Sequence, residues 1–240
     1  MKQLILTLML STTPLVSQAA LLYSNGPVVD GSGLSILAPT ANVLGFGAQT
    51  NSANAVADDF SIAVGESWTI TDLDFFGYQT GASSFTFESV NWSIVSGDIN
   101  TGTVIASDTS LVTNGGLQGY RVTSSTTSDT NRGIYLANAD IDDLFLGAGD
   151  YWLRWSLTGS DSFSGPWIPV VSDARTGNAQ QSTTGLFNTV TDSGNQLTVE
   201  LPFSVNGSTT TNDVSAPSVL AIFGLGLLSL AGVRRRKTAA

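Results

Sequence analysis

Strict alternation of apolar and polar side chains constrains this chain more than any other feature. In Gly149 to Leu157 (GDYWLRWSL), Tyr151, Leu153, Trp155 and Leu157 share one face, and Trp152, Arg154 and Ser156 share the other. In Leu197 to Val205 (LTVELPFSV), Leu197, Val199, Leu201, Phe203 and Val205 line up, with Thr198 and Glu200 pointing away. A period of two belongs to a strand with one face on a core and one in water. Helical periodicity is nearly absent from the middle of the chain, where β-branched and aromatic residues come in short runs between Gly, Asn, Asp and Ser. The expectation is an all-β domain.

Further strands are expected at Ala57–Ile62, Ser67–Tyr78, Ser84–Val95, Thr103–Asp108, Gln118–Ser124 and Gly133–Leu136. Two of them change phase. In SWTITDLDFFGY, Trp68 and Ile70 share a face while Leu73 and Phe75 occupy the other, so a bulge near Thr71-Asp72 would return all four to the core. In FTFESVNWSI, Phe85 and Phe87 likewise give way to Val90, Trp92 and Ile94. About eight to ten strands with turn-marked spacing predict a β-sandwich of two antiparallel sheets, jelly-roll or immunoglobulin-like. Pro202 marks its strand as an edge. Leu157–Thr189, rich in Gly, Ser, Asn and Gln, reads as a long loop around GPWIPVV, and the polar run Asn206–Asp213 as a spacer after a domain spanning 20–205.

The two ends differ from this body. Met1, Lys2 and Gln3 precede an apolar core, Leu4–Leu10, and Ser17 and Ala19 set small residues at −3 and −1 of a cut after Ala19, so residues 1–19 read as a secretory signal peptide. Five of the nine basic residues lie in the termini. Between Leu21 and Asp213 four arginines face nineteen acids, a net charge of −15, with no lysine. Such a body repels nucleic acid and anionic lipid. The chain has no cysteine and no histidine, which removes disulfides, Ser-His-Asp and Cys-His catalysis, and the usual zinc, copper and non-haem iron sites.

Residues Val219 to Val233 are mostly apolar and are followed by Arg234, Arg235, Arg236 and Lys237. A helix from Ser218 to Val233 is about 24 Å long at ~1.5 Å per residue, short of the roughly 30 Å hydrocarbon core, a gap that snorkelling arginines and local thinning can close. The basic run orients such a transmembrane segment with the tail in the cytoplasm and the acidic body outside. A proline before the span, a Gly/Leu/Ala-rich stretch ending in LAGVRRRK and the N-terminal signal together resemble the PEP-CTERM proteins of Gram-negative bacteria. The resemblance covers Val214 to Lys237. It implies recognition by exosortase, a membrane protease-transpeptidase that removes the tail and delivers the protein to the cell surface or to exopolysaccharide. The motif residues are Val214, Ser215, Ala216 and Pro217, with Arg234, Arg235, Arg236 and Lys237 behind the span; Ser215 and Ala216 stand where the family has Pro and Glu.

The sequence leaves carboxylates as the only catalytic vocabulary: Asp58-Asp59, Asp72 with Asp74, and the Asp140, Asp142, Asp143 group, which would suit glycoside hydrolysis if two faced each other across a cleft. The stretch NADIDD, Asn138 to Asp143, also suits structural calcium, as Asp140, Asp142 and Asp143 crowd oxygen ligands into a short turn-like stretch; no other cofactor is implied. Among the tryptophans, Trp152 is turned away from its core-facing neighbours and Trp167 sits in a proline-flanked loop, so both are candidates to stack on sugar rings, against the plainer reading that both are packed. The sequence thus predicts a non-catalytic exported surface or matrix protein whose partners are a processing exosortase, membrane lipid and extracellular polysaccharide. A carbohydrate-binding module or adhesin is the alternative and a carboxylate glycosidase the third reading.

Overall fold

The computed structural model describes residues 19–211. All of the expected signal peptide but its last residue, and the whole tail from 214 to 240, lie outside the described residues.

The described chain is all-β: fourteen strands, one 3-10 turn (Thr50–Ser52) and two sheets. Strands are numbered in chain order. The first sheet runs β1 (Ala20–Ser24), β14 (Phe203–Thr211), β5 (Glu66–Thr80), β9 (Gly133–Leu146), β8 (Thr113–Val122) and β2 (Leu34–Ile36), with β11 (Ser164–Ile168) on the end of β5 and β3 (Phe46–Gly47) beyond it. The second runs β13 (Phe187–Thr189), β12 (Gln180–Ser182), β4 (Ala55–Ile62), β10 (Gly149–Gly159), β6 (Phe87–Ser96) and β7 (Thr103–Leu111). All pairings are antiparallel except β2 with β8, which is parallel, so the first sheet is mixed where an antiparallel one was expected.

Period-two alternation does what it promises in the centre of both sheets. Tyr151, Leu153, Trp155 and Leu157 of β10 and Phe203 and Val205 of β14 enter one buried cluster with Phe75, Ile94 and Phe60. Trp155 joins the layers, its ring 5.7 Å from that of Phe75 and 5.8 Å from that of Phe203. Each such side chain contributes about 1.5–3 kcal/mol of burial.

Both expected phase changes are bulges. Trp68, Ile70, Leu73 and Phe75 are all in the core because Thr71 is skipped in pairing, Ile70 facing Gly207 and Asp72 facing Asn206. Gly207 is needed there, since a Cβ would lie 2.0 Å from the Thr69 carbonyl oxygen. On the other flank of β5, β9 passes Ile141, Asp142 and Asp143 across the same step. In β6, Glu88 is skipped between partners of Thr158 and Gly159, which puts Phe87 and Val90 on the same side.

Several expectations fail. The run Asn206–Thr211 is the second half of β14, paired with β5 as far as Thr211 facing Glu66, and not a spacer. Backbone ladders need no apolar side chain, and the threonines suit a strand. Pro202 precedes a strand flanked on both sides by β1 and β5, so it marks a strand entrance and not an edge. Leu197 is 50% exposed, because the segment before β14 is held at separate points, by the Thr191–Thr198 bridge and by Val199 and Glu200 carbonyls accepting from Ala179 and Val171 N–H, and not by a continuous ladder; Val199 and Leu201 are buried as expected. The expected loop Leu157–Thr189 carries β11, β12 and β13.

Strand directions put the Ala63–Gly65 turn, the Gly147-Ala148 turn and the end of β14 at one end of the molecule, here the exit end. The first residue of β1, Ala20, faces Gly207 near that same end.

Candidate functional site

The outward faces of the two sheets are finished differently. On the first sheet, the Asp74 carboxylate accepts from Asn206 Nδ2 at 2.7 Å and from Asn138 Nδ2 at 2.8 Å. Nearby, Val28, Phe76, Tyr78 and Ile134 form a satellite apolar cluster. Trp167 of β11 packs on that cluster beside Tyr78, its Nε1 donating to Ser164 Oγ at 3.4 Å.

The second sheet's outer face carries an open groove of about 500 Å³. Alternation sets its floor: Arg154 and Ser156 of β10, Asn91 and Ser93 of β6 and Ser107 and Thr109 of β7 stand in two cross-strand rows, with Asp108 and Phe187 also lining it. Thr109 Oγ1 donates to Asn91 Oδ1 at 2.7 Å, and Ser156 Oγ shares a hydrogen bond with Thr50 Oγ1 at 3.0 Å. Arg154 lies with its guanidinium 5.2 Å from the Phe187 ring centre, a cation–π contact. Its Nη2 donates to the Ile99 carbonyl in the turn between β6 and β7. Asn100 of that turn ties down β13, its Nδ2 donating to the Phe187 carbonyl at 3.0 Å and its Oδ1 accepting from Phe187 N–H at 2.8 Å.

Arg154 is the unusual member. Burial lowers its pKa, with Asp98 opposing. Its Nε is buried with no hydrogen-bond partner among the described residues, as is Trp155 Nε1 on the inward side of the same strand. The ion pairs among the described residues are Arg132–Asp129 and Arg175–Asp173, so Arg154 is in none of them. The groove thus sets a guanidinium outside those ion pairs beside hydroxyls and an amide that both donate and accept.

The sequence-chosen tryptophans do not meet here. Trp152 is half-buried on this outer face, between Asp59 and Val95 on the neighbouring strands, but does not line the groove; Trp167 belongs to the other sheet. Asp140, Asp142 and Asp143 lie in β9, so the expected turn-like loop is a strand, and among the described residues no three His, Cys, Asp or Glu converge as a metal would require. Asp72 faces Asp140 across β5 and β9. Asp58 points inward and Asp59, half-buried, outward. Arg154 was visible in the sequence as an outward residue of β10, but its importance rests on the covering turn and on β13, which no local pattern announces.

No protein-family model matches the chain, and no curated protein matches it.

Proposed function

We propose that the chain is an exported, non-catalytic component of the cell surface or extracellular matrix, built on a two-sheet β-sandwich. In this reading the N-terminal signal is cut after Ala19, and the segment from Val219 to Val233 holds the protein in the membrane as a helix. An exosortase-type enzyme processes the tail at the Val214–Pro217 motif. The observation that carries it is that the two ends of the described domain lie on neighbouring strands. β1 starts at Ala20, directly after the expected cut, and pairs with β14, which is described as far as Thr211, three residues before the motif. Both addressed ends therefore leave a closed core by neighbouring strands and need no passage through it. Deleting Pro217–Lys237 should send the protein into the medium, and the intact mass of protein recovered from its native cells should report loss of both ends. A full-length mass, or equal membrane retention of both forms, would defeat the reading.

A second reading, that the body holds a neutral polysaccharide, is favoured by the groove on the six-stranded sheet. Sugar hydroxyls donate and accept at once, which matches Arg154 as donor and Asn91 and the hydroxyls of Ser93 and Ser107 as both donor and acceptor. The body's charge of −15 works against polyanions. Affinity electrophoresis in gels of neutral glucan should retard the protein, with Asn91→Ala abolishing the effect and Trp152→Ala plus Trp167→Ala leaving it. Equal retardation by polyuronate, or loss only in the tryptophan variant, would count against the groove.

A further inference from the structure

The two sheet-crossing turns at the exit end carry almost no polarity. Ala63-Val64-Gly65 joins β4 to β5 and Gly147-Ala148 joins β9 to β10, whereas the opposite end closes with loops such as Thr123–Arg132 (TSSTTSDTNR). Val64 is 98% exposed at its tip, the most exposed large apolar side chain described, and Phe145, just before the other turn, is 66% exposed. Leu111 (82%) and Leu186 (63%) are exposed toward the other end, so the exit end is set apart by having its apolar tips next to the strand that leads to the tail. Folding gains nothing by leaving a valine and a phenylalanine in water at one end of an otherwise acidic body. The last described residue of β14 is at the same end, Thr211 facing Glu66 two residues from Val64.

We propose that this end is a docking surface for an electrically neutral lipid bilayer, with Val64 and Phe145 dipping into the interface; the inference rests on the membrane reading of Val219–Val233 given above. Reach limits where this end can sit. Seven residues lie between Thr211 and Val219, and the eight steps from one to the other span at most about 28 Å fully extended. The exit end therefore cannot sit far from the bilayer surface. Two apolar side chains alone would bind lipid weakly, but a short tether keeps them at high local concentration, and weak contacts then suffice to orient the body. Glu66 and Asp150 lie beside the tips, so zwitterionic headgroups fit and anionic ones are repelled. Docking in this way holds the polar loops of the opposite end farthest from the membrane.

The chain has no cysteine, so single-cysteine labelling tests this cleanly. The full chain carrying Val64→Cys, or Ser128→Cys in the loop between β8 and β9, is labelled with an environment-sensitive fluorophore and reconstituted into phosphatidylcholine vesicles containing nitroxide-labelled lipid. Position 64 should emit to the blue and be quenched several-fold more than position 128, and substituting part of the lipid with phosphatidylglycerol should weaken the difference. Vesicle-bound protein with both positions equally water-exposed overturns the docking surface alone. Protein that stays in solution overturns the membrane reading and the docking with it.

Discussion

Two regions bury polar groups, and they treat them in opposite ways. Between the sheets, Asp58 of β4 is fully buried, its Oδ2 accepting from Leu201 N–H at 2.7 Å and its Oδ1 from Asp59 N–H at 3.0 Å. Glu200 lies beside it and accepts from Asn25 Nδ2 at 2.9 Å; Asn25 Nδ2 also donates to the Leu201 carbonyl at 3.0 Å, while Asn25 Oδ1 accepts from Tyr23 Oη at 3.0 Å. Gly177 lets this network close, since a Cβ there would fall 1.4 Å from Glu200 Oε1. On the outer face, by contrast, Arg154 keeps a buried Nε without a partner. A satisfied network fixes the register of a fold; a buried donor without a partner is a cost carried beside the groove.

The largest expected effect tests the interior half of that contrast. Burial, followed by the charge of Glu200, pushes the Asp58 carboxyl from 3.8 up to about 9. The native state therefore holds a proton that the unfolded chain releases above its own pKa near 4. The stability is fullest below about pH 4 and drains as pH rises toward 9, by on the order of 1 kcal/mol per pH unit at the steepest. Asp58→Asn keeps an acceptor for Leu201 N–H and a donor for Glu200 without a titrating proton. Urea midpoints measured from about pH 5 to pH 8 should fall for the wild type and stay nearly level for the variant. Parallel slopes would mean that the Asp58 proton is not part of the native state.

A smaller loss is expected one step along the same network. Asn25→Ala removes three hydrogen bonds and leaves the Leu201 carbonyl and the Tyr23 hydroxyl, whose pKa burial and then the charges of Asp58, Asp59 and Glu200 push up to about 12, to find other partners. The cost should be about 2–3 kcal/mol, seen as a lower urea midpoint at unchanged slope. A change under about 0.5 kcal/mol would show that water replaces Asn25 without penalty and that the network is less closed than its geometry.

How much of this is legible in the sequence follows from what alternation can encode. Tyr151, Leu153, Trp155 and Leu157 reached the core as read, and the phase slips around Thr71 and Glu88 appeared as bulges, because period two reports directly which side a residue faces. Alternation is silent about polar strands. The ladder through Ser208, Thr209 and Thr210 is carried by backbone groups, so a run without apolar residues looked like a spacer. The three-residue β12 and β13 are shorter than any pattern can mark, and they are what close the groove over Arg154. In the sequence Asp58 is only half of an acidic pair, for its burial depends on Leu201 and Glu200, more than 140 residues away.

The smallest expected effect on stability is also the sharpest test of the contrast. Arg154→Met keeps an unbranched stem against Phe187 and removes the orphaned Nε together with the bond from Nη2 to the Ile99 carbonyl. The lost contacts are offset by the loss of a buried donor that nothing satisfies, so stability should change by no more than about 0.5–1 kcal/mol. Retardation in neutral glucan gels, in contrast, should disappear. If the variant instead unfolds as readily as Asn25→Ala, then Arg154 pins the β6–β7 turn and β13 as a structural cross-link, and the two regions differ in position but not in kind. A variant both stable and fully retarded would leave the groove intact as a surface while removing Arg154 from any part in recognition.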